Sequence, residues 1–482
     1  MDRSILIKNP LLCCRMDTDV HSNDVLNAFS GGHIYIEGNE IVSAGPQDFQ
    51  GTTDHVIDAS RMVALPGFVN THHHFYQTLT RNIFATQKSG LFDWLLTNYE
   101  IWRGISGEAI YISAKLAIAE LLKSGCTTTS DHLYLFPNKA EPTLIDREIE
   151  AAREMGIRFQ PTRGSMSRGK SDGGLPPDDV IQTEAQIIED TYRLIKKYHN
   201  DSFGAMTRIS LAPCSPFSVT PELMKETARI ARENKLQIHT HLAETADEVK
   251  FCLEKFKMRP FEFMKSLDWI GSNAWFAHSI YLNDAEIRQA GEARIGISHC
   301  PSSNMRLGSG IARIKEMLEA GVKVSLAVDG SASNDSSNML IELRNAMLSS
   351  RLRKPEYWLS TEEVLWMATV GGAKALERND IGQIAPGKCA DLTLISMDRL
   401  EYSGAQHDPA AAILFCVAMN PVDWVIVNGK IIVEEGRIKG HNAERHDQMK
   451  YLDEKALIAR HQQLSDDLIA EAESKKGQKL AR

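Results

Sequence analysis

The feature that most constrains the fold is a rhythm. From Arg61 onward, eight short apolar runs bounded by turn residues alternate with helix-length amphipathic stretches. The runs are ALPGFVN (64–70), CTTTSD (126–131), IRFQPTR (157–163), RISLAP (208–213), LQIHTHL (236–242), AWFAHS (274–279), RIGISHC (294–300) and VKVSLAVDG (322–330). Parallel strands need a long crossover, and an intervening helix supplies it, so this alternation reads as a parallel sheet. Eight repeats predict an α/β fold in which residues 64–375 close into a (β/α)8 TIM barrel. Within it, Glu108–Lys123 carries Ile110, Ala114, Ala117, Ile118 and Leu121 at helical spacing. Thr220 followed by Pro221, and Ser360 with Glu363, mark two helix starts.

Outside the barrel the pattern changes to alternation, in ILIKNPLL (5–12), HIYIEGNEIVSAG (33–45), HVIDAS (55–60), ADLTLISM (390–397) and VDWVIVNGKIIVEEGRI (422–438). These segments predict one small sheet domain built from both chain ends, 1–63 with 376–440, with hairpin turns at Gly38–Asn39 and Asn428–Gly429. Residues 441–482 are expected to form a helical tail, with Leu457, Leu464 and Leu468 on its apolar face. Composition narrows the partners. With 54 basic and 63 acidic residues the chain carries a formal charge of −9, and no basic block suits a nucleic acid or an anionic membrane. No run approaches the ~18 apolar residues of a membrane span, and the N-terminal apolar stretch is too short for a signal peptide. The expected protein is cytoplasmic, with a small-molecule partner.

Histidines gather where the predicted strands end. His72 and His74 stand two apart after the first run, so both side chains leave the backbone on the same side, a spacing that suits two ligands to one metal. His73 points the other way and is read as packed. His239 and His241 repeat the spacing after the fifth run, with Glu244 three residues on. Two such clusters strengthen each other, because a barrel converges its strand ends on one site. Asp329 closes an almost wholly apolar run, where a carboxylate is costly unless it meets a metal or a cation. His278 ends the sixth run and is assigned to the site. His132 and His299 are left open between structural and chemical roles.

Together His72-x-His74, His241, Glu244, His278 and Asp329, with PGFVNTH, HCPSSNMRLGSG and IGQIAPGKCADLTLI, resemble the amidohydrolase superfamily in its cytosine/guanine/chlorohydrolase-type branch. The resemblance covers nearly the whole chain. It implies a metal-dependent barrel with a composite β-sandwich domain, metal ligands His72, His74, His241 and Asp329, and catalytic roles for Glu244, His278 and Asp329. Binuclear members bridge two metals through a lysine or glutamate after the fourth strand. Here that end reads RISLAPCSPF, which implies a single divalent ion, zinc first, with iron or manganese as alternatives. A homo-oligomer is also implied.

The same resemblance bears on substrate. Gln77 matches the position at which guanine deaminases hold a purine edge, and a primary amide offers both donor and acceptor to an oxopurine. The segment LFDWLLTNYEIW (91–102) places Trp94, Tyr99 and Trp102 either as a wall for a flat heterocycle or as core. Arg163 offers its guanidinium to a substrate carbonyl or to a salt bridge at its strand end. The segments NTHHHFYQTLTR, TRGSMSRGKSDGGLPPD (162–178) and AVDGSASNDSSNML (327–340) resemble the 8-oxoguanine deaminases. The expected reaction is hydrolysis of 8-oxoguanine to urate and ammonia, with isoxanthopterin, guanine or s-triazine substrates as alternatives and a non-catalytic scaffold as a remote one.

Overall fold

The computed structural model describes residues 4–417, 421–440, 451–477 and 479–481; part of the expected C-terminal tail, 441–450, lies outside them. Eight parallel strands run in sequence order: β1 (Phe68–Asn70), β2 (Cys126–Leu133), β3 (Arg158–Ser165), β4 (Ser210–Pro213), β5 (Ile238–Leu242), β6 (Ala274–His278), β7 (Gly296–His299) and β8 (Lys323–Leu326). The two edges are drawn together by hydrogen bonds. Val328 N–H donates to Asn70 Oδ1 at 2.9 Å and Asp329 N–H to the His72 carbonyl at 3.1 Å. Thr71 Oγ1 lies 2.7 Å from both Ser298 Oγ and Ser325 Oγ. The predicted TIM barrel is therefore present, and its last strand delivers Asp329 beside the first strand's histidines.

The helices begin where the sequence sets them. Thr220 accepts from Leu223 N–H ahead of Pro221–Asn234, Ser360 and Glu363 form a reciprocal cap, and Gly107–Lys123 spans the expected helix.

The first predicted strand needs correction. Met62–Pro66 pairs antiparallel with Leu392–Ser396 in another sheet, and only Phe68–Asn70 joins the barrel. Gly67 makes the break, because a Cβ there would come within 2.1 Å of the Thr127 side chain. The chain must cross between sheets at a point of close approach that only glycine permits.

The terminal strands form two sheets, as the expected composite β-sandwich requires. Four N-terminal strands, Glu40–Gly45, His33–Glu37, Ser4–Lys8 and His55–Asp58, make the first. The second has six strands and mixes both chain ends. The sheets share one apolar core, in which Ile5, Ile7, Ile34 and Ile57 meet Leu392, Leu394 and Ile426, and so form the composite β-sandwich. Buried Arg158 ties the sandwich to the barrel: its Nε and Nη2 donate to the two Asp391 oxygens at 3.0 Å each.

The C-terminal helix Glu454–Lys476 lies on the barrel. His461 Nε2 is 2.9 Å from Thr78 Oγ1, and Ser465 Oγ donates to the Leu79 carbonyl at 2.6 Å. Among the described residues no helix is long and apolar enough to cross a membrane.

Candidate active site

Three strand ends, those of β1, β5 and β8, bring His72, His74, His241 and Asp329 together. His74 Nε2 lies 3.1 Å from His241 Nε2, and Asp329 Oδ1 lies 3.3 Å from His72 Nε2 and 3.4 Å from His74 Nε2. Two ligand atoms on a tetrahedral zinc at about 2.05 Å stand about 3.3 Å apart, so the donor spacing matches that geometry. The other nitrogen of each ring is occupied. His74 Nδ1 lies 2.7 Å from the His132 carbonyl, His241 Nδ1 2.7 Å from the Cys214 carbonyl, and His72 Nδ1 2.8 Å from His239 Nε2. Each Nε2 is thereby left as the free lone pair, and His72 Nε2 is buried with no hydrogen-bond partner. An orphaned nitrogen in a ring of donors is costly unless a cation completes it. The donor set fits a divalent metal ion.

Electrostatics point the same way. Burial pushes the His241 imidazolium down to about 3 and the His72 imidazolium well below its ordinary value, so both rings are neutral ligands at pH 7. Burial would raise the Asp329 carboxyl, but His72, His278 and His74 outweigh it and hold it well below the usual carboxylate range.

Glu244 and His278 stand beside this group. His278 Nε2 is 3.6 Å from Glu244 Oε2 and 3.8 Å from Asp329 Oδ2, and its Nδ1 is 2.9 Å from Asn304 Oδ1. Burial raises the Glu244 carboxyl, against the opposing pull of His278. Burial would lower His278, yet Glu244 and Asp329 draw its affinity for a proton above the ordinary value. The backbone is bent to aim these groups. Ala243, His278, Ser279 and Asp329 have φ of +53°, +68°, +53° and +64°, a left-handed conformation that costs a non-glycine residue on the order of 1 kcal/mol. Glu248 clamps one bend, accepting Ala243 N–H at 2.7 Å and Glu244 N–H at 2.9 Å.

A small cavity opens onto Asp329, Glu244 and His278, roofed by Trp94, Tyr99 and Phe217. Gln77 lines it. Its Oε1 is buried without a hydrogen-bond partner and packs over Gly330, where a Cβ would come within 1.9 Å of it. Trp94 also reaches the cavity while its Nε1 donates to the Ala332 carbonyl at 3.2 Å.

Two expected substrate contacts are corrected. Trp102 lies behind the wall, wholly buried against Tyr76, Trp94 and Tyr99, with Nε1 donating to Thr80 Oγ1 at 3.0 Å. Arg163 faces away from the barrel interior. Its Nε meets Asp190 at 2.7 Å, its Nη2 donates to Gln182 Oε1 at 2.8 Å, and it stacks 4.3 Å over the Phe136 ring. Gln160 on the same strand bonds Ser210 and Gln237 across the interior, so odd-numbered Arg163 must point outward by the alternation of a strand.

Of the histidines left open, His132 joins the donor group, with Nε2 2.8 Å from the Ala212 carbonyl and a buried Nδ1 without a hydrogen-bond partner. His299 lies elsewhere, among Ile311, Ile314 and Tyr357. Asn304, Glu248 and the role of His239 escaped the sequence reading. The only signal for them was proximity in sequence to the HCPSSN and HTHLAET segments.

Comparison with known proteins bears on the fold and the family. Residues 63–432 match the model of the amidohydrolase family. Over 443 residues the chain is 47% identical to 8-oxoguanine deaminase of Pseudomonas aeruginosa, covering 92% of this chain and 95% of that one. It is 33% identical over 427 residues to hydroxydechloroatrazine ethylaminohydrolase of a Pseudomonas species, covering 85% and 88%. The crystal structure of atrazine chlorohydrolase from Arthrobacter aurescens TC1 complexed with zinc superposes with a TM-score of 0.87 at 31% identity, covering 96% of this chain and 100% of that one. A barrel with histidine pairs closing its first and fifth strands, matched over most of its length, places this chain in the amidohydrolase family.

Proposed function

We propose that this chain is a zinc-dependent aminohydrolase that converts 8-oxoguanine and water to urate and ammonia. The observation that carries the metal-dependent reading is the convergence of three Nε2 atoms and one carboxylate oxygen at ligand spacing, with His72 Nε2 left without a hydrogen bond. The 47% identity to an 8-oxoguanine deaminase supports the substrate. His72, His74, His241 and Asp329 would hold one ion. When bound, zinc supplies the Lewis acidity that makes water a competent nucleophile near neutral pH.

The chain's own residues manage the protons. Asp329, kept ionised by the imidazoles around it, accepts the proton of the attacking water through the oxygen that faces His278. Glu244, with its carboxyl raised above its ordinary value by burial, is the proton donor to a ring nitrogen next to C2 of the purine. Ionised by that step, Glu244 takes the proton of the C2 hydroxyl as the carbonyl forms and passes it to the departing amine, so that ammonia leaves; the proton held by Asp329 then returns to Glu244, whose carboxylate faces the same His278 Nε2. His278 faces both carboxylates through Nε2 and steadies the charge that develops between them. Gln77 presents an amide to the oxopurine edge, and Trp94 with Tyr99 covers the flat face. The same reading keeps the protein cytoplasmic and homo-oligomeric, the latter measurable by light scattering.

The test is ammonia release by the zinc-replete protein against 8-oxoguanine, guanine, isoxanthopterin, cytosine and hydroxyatrazine in parallel. Turnover of 8-oxoguanine well above the rest is expected. Turnover confined to isoxanthopterin or the triazine would overturn the pocket assignment, and none with any substrate would overturn the enzyme reading.

A further inference from the structure

His239 has the same sidedness as the ligand His241, yet it does not join the donor ring. Its Nε2 lies 2.8 Å from His72 Nδ1 and its Nδ1 lies 2.9 Å from the Trp275 carbonyl. The ring is wholly buried and stacks on the Trp275 indole, with centroids 4.5 Å apart and planes 20° from parallel. A carbonyl oxygen can only accept, so the proton of a neutral His239 sits on Nδ1 and its Nε2 is bare. A bare Nε2 can only accept in turn, so His72 must carry its proton on Nδ1. That leaves His72 Nε2 as a lone pair, and this is the buried nitrogen that finds no hydrogen-bond partner among the described residues.

His74 and His241 reach the same tautomer more directly, each through one backbone carbonyl, of His132 and Cys214. His72 Nδ1 meets an interposed imidazole, that of His239, in place of a carbonyl.

We infer that His239 is a positioning residue that relays the polarity of the Trp275 carbonyl to His72 and so fixes the ring and tautomer in which His72 can bind a metal. The inference rests on the metal-site reading above. It makes a pattern demand on the side chain at 239: one acceptor toward His72 and one donor toward Trp275. Glutamine meets that demand through its carbonyl and amide groups. Leucine fills similar space and meets neither half, leaving the His72 N–H without its acceptor and removing one donor to the Trp275 carbonyl.

The experiment compares full-length wild type, His239→Gln and His239→Leu, with zinc affinity measured by competition against a chelator and with the melting temperature of each metal-free protein. His239→Leu is expected to weaken zinc about 10- to 100-fold, the usual effect of removing a partner behind a metal-ligating histidine. His239→Gln is expected to restore most of that affinity. A purely structural role would lower the metal-free melting temperature and leave zinc affinity at the wild-type value, and that result would overturn the inference. So would a glutamine variant as weak as the leucine one.

Should His239→Leu fail to fold, 15N NMR of the metal-free wild-type protein with labelled histidines decides alone. Protons are expected on His239 Nδ1 and His72 Nδ1, and a proton on His239 Nε2 would refute the relay. Failure of the wild-type protein to bind zinc would instead overturn the metal reading, with the tautomer order still decided by NMR.

Discussion

Replacing Glu244 by glutamine separates folding from chemistry. The change swaps one oxygen for an NH2 group at constant volume. The side chain makes few contacts: Oε1 accepts from Ser309 Oγ at 3.3 Å, and Oε2 lies 3.6 Å from His278 Nε2. A glutamine carbonyl keeps the serine bond. Burial already penalises the Glu244 charge, so its removal should leave the melting temperature unchanged or higher. None of the proposed metal-holding atoms is touched, so zinc content should stay full. What is lost is the proton carried to the ring nitrogen and then to the amine. A positioned acid–base group contributes roughly 10²- to 10⁴-fold, or about 2.7–5.4 kcal/mol of barrier at about 1.36 kcal/mol per decade. The assay is ammonia release under saturating substrate, with zinc measured by elemental analysis on the same sample. Turnover within tenfold of wild type in a fully loaded variant would refute the proton-shuttle role.

His241→Ala should remove both metal and activity, because one of the three imidazoles that would hold the ion disappears; full zinc by elemental analysis would remove His241 from the ligand set. Gln77→Ala should raise KM or lower kcat for the oxopurine roughly 10-fold, the cost of about one lost hydrogen bond, with little change in melting temperature, since Gln77 Oε1 bonds nothing in the protein; unchanged kinetics on the best substrate would take Gln77 out of the site. The metal-free protein should lose stability as pH falls below about 6.5. Burial pushes His73, His241 and His299 down to about 3 and lowers His72, His74, His132 and His239 as well, so below about 6.5 the unfolded chain binds protons that the folded one refuses, at about 1.4 kcal/mol per pH unit per histidine; the carboxyls that burial raises, Asp131 and Glu342 to about 8 and Glu248 to about 7, act the other way but are outnumbered. A melting temperature flat between pH 7 and pH 5 would contradict this.

The sequence by itself determined the barrel and the convergence of its donors. Both follow from local rules. Apolar runs alternating with helices require parallel strands, and two histidines separated by one residue must share a side. The same rule put His73 on the opposite side, where its Nε2 lies 2.9 Å from Ser337 Oγ. It also held the clue to Arg163, since Gln160 and Thr162 on one side place 163 on the other. The chemistry of a strand-end arginine beside a candidate site obscured that parity.

Other features became fixed only when the chain folded. The run 64–70 looks continuous, yet Gly67 divides it between two sheets because Thr127, sixty residues away, approaches too closely for a side chain. Trp94 and Trp102 sit on one helix with equal claims to the cavity, and tertiary packing gives the wall to Trp94 and buries Trp102 against Tyr76 and Tyr99. His239 and His241 are equivalent in pattern. His239 pairs in register with Trp275 and meets its carbonyl and His72, while His241 meets His74, a relation between strands that no single segment encodes.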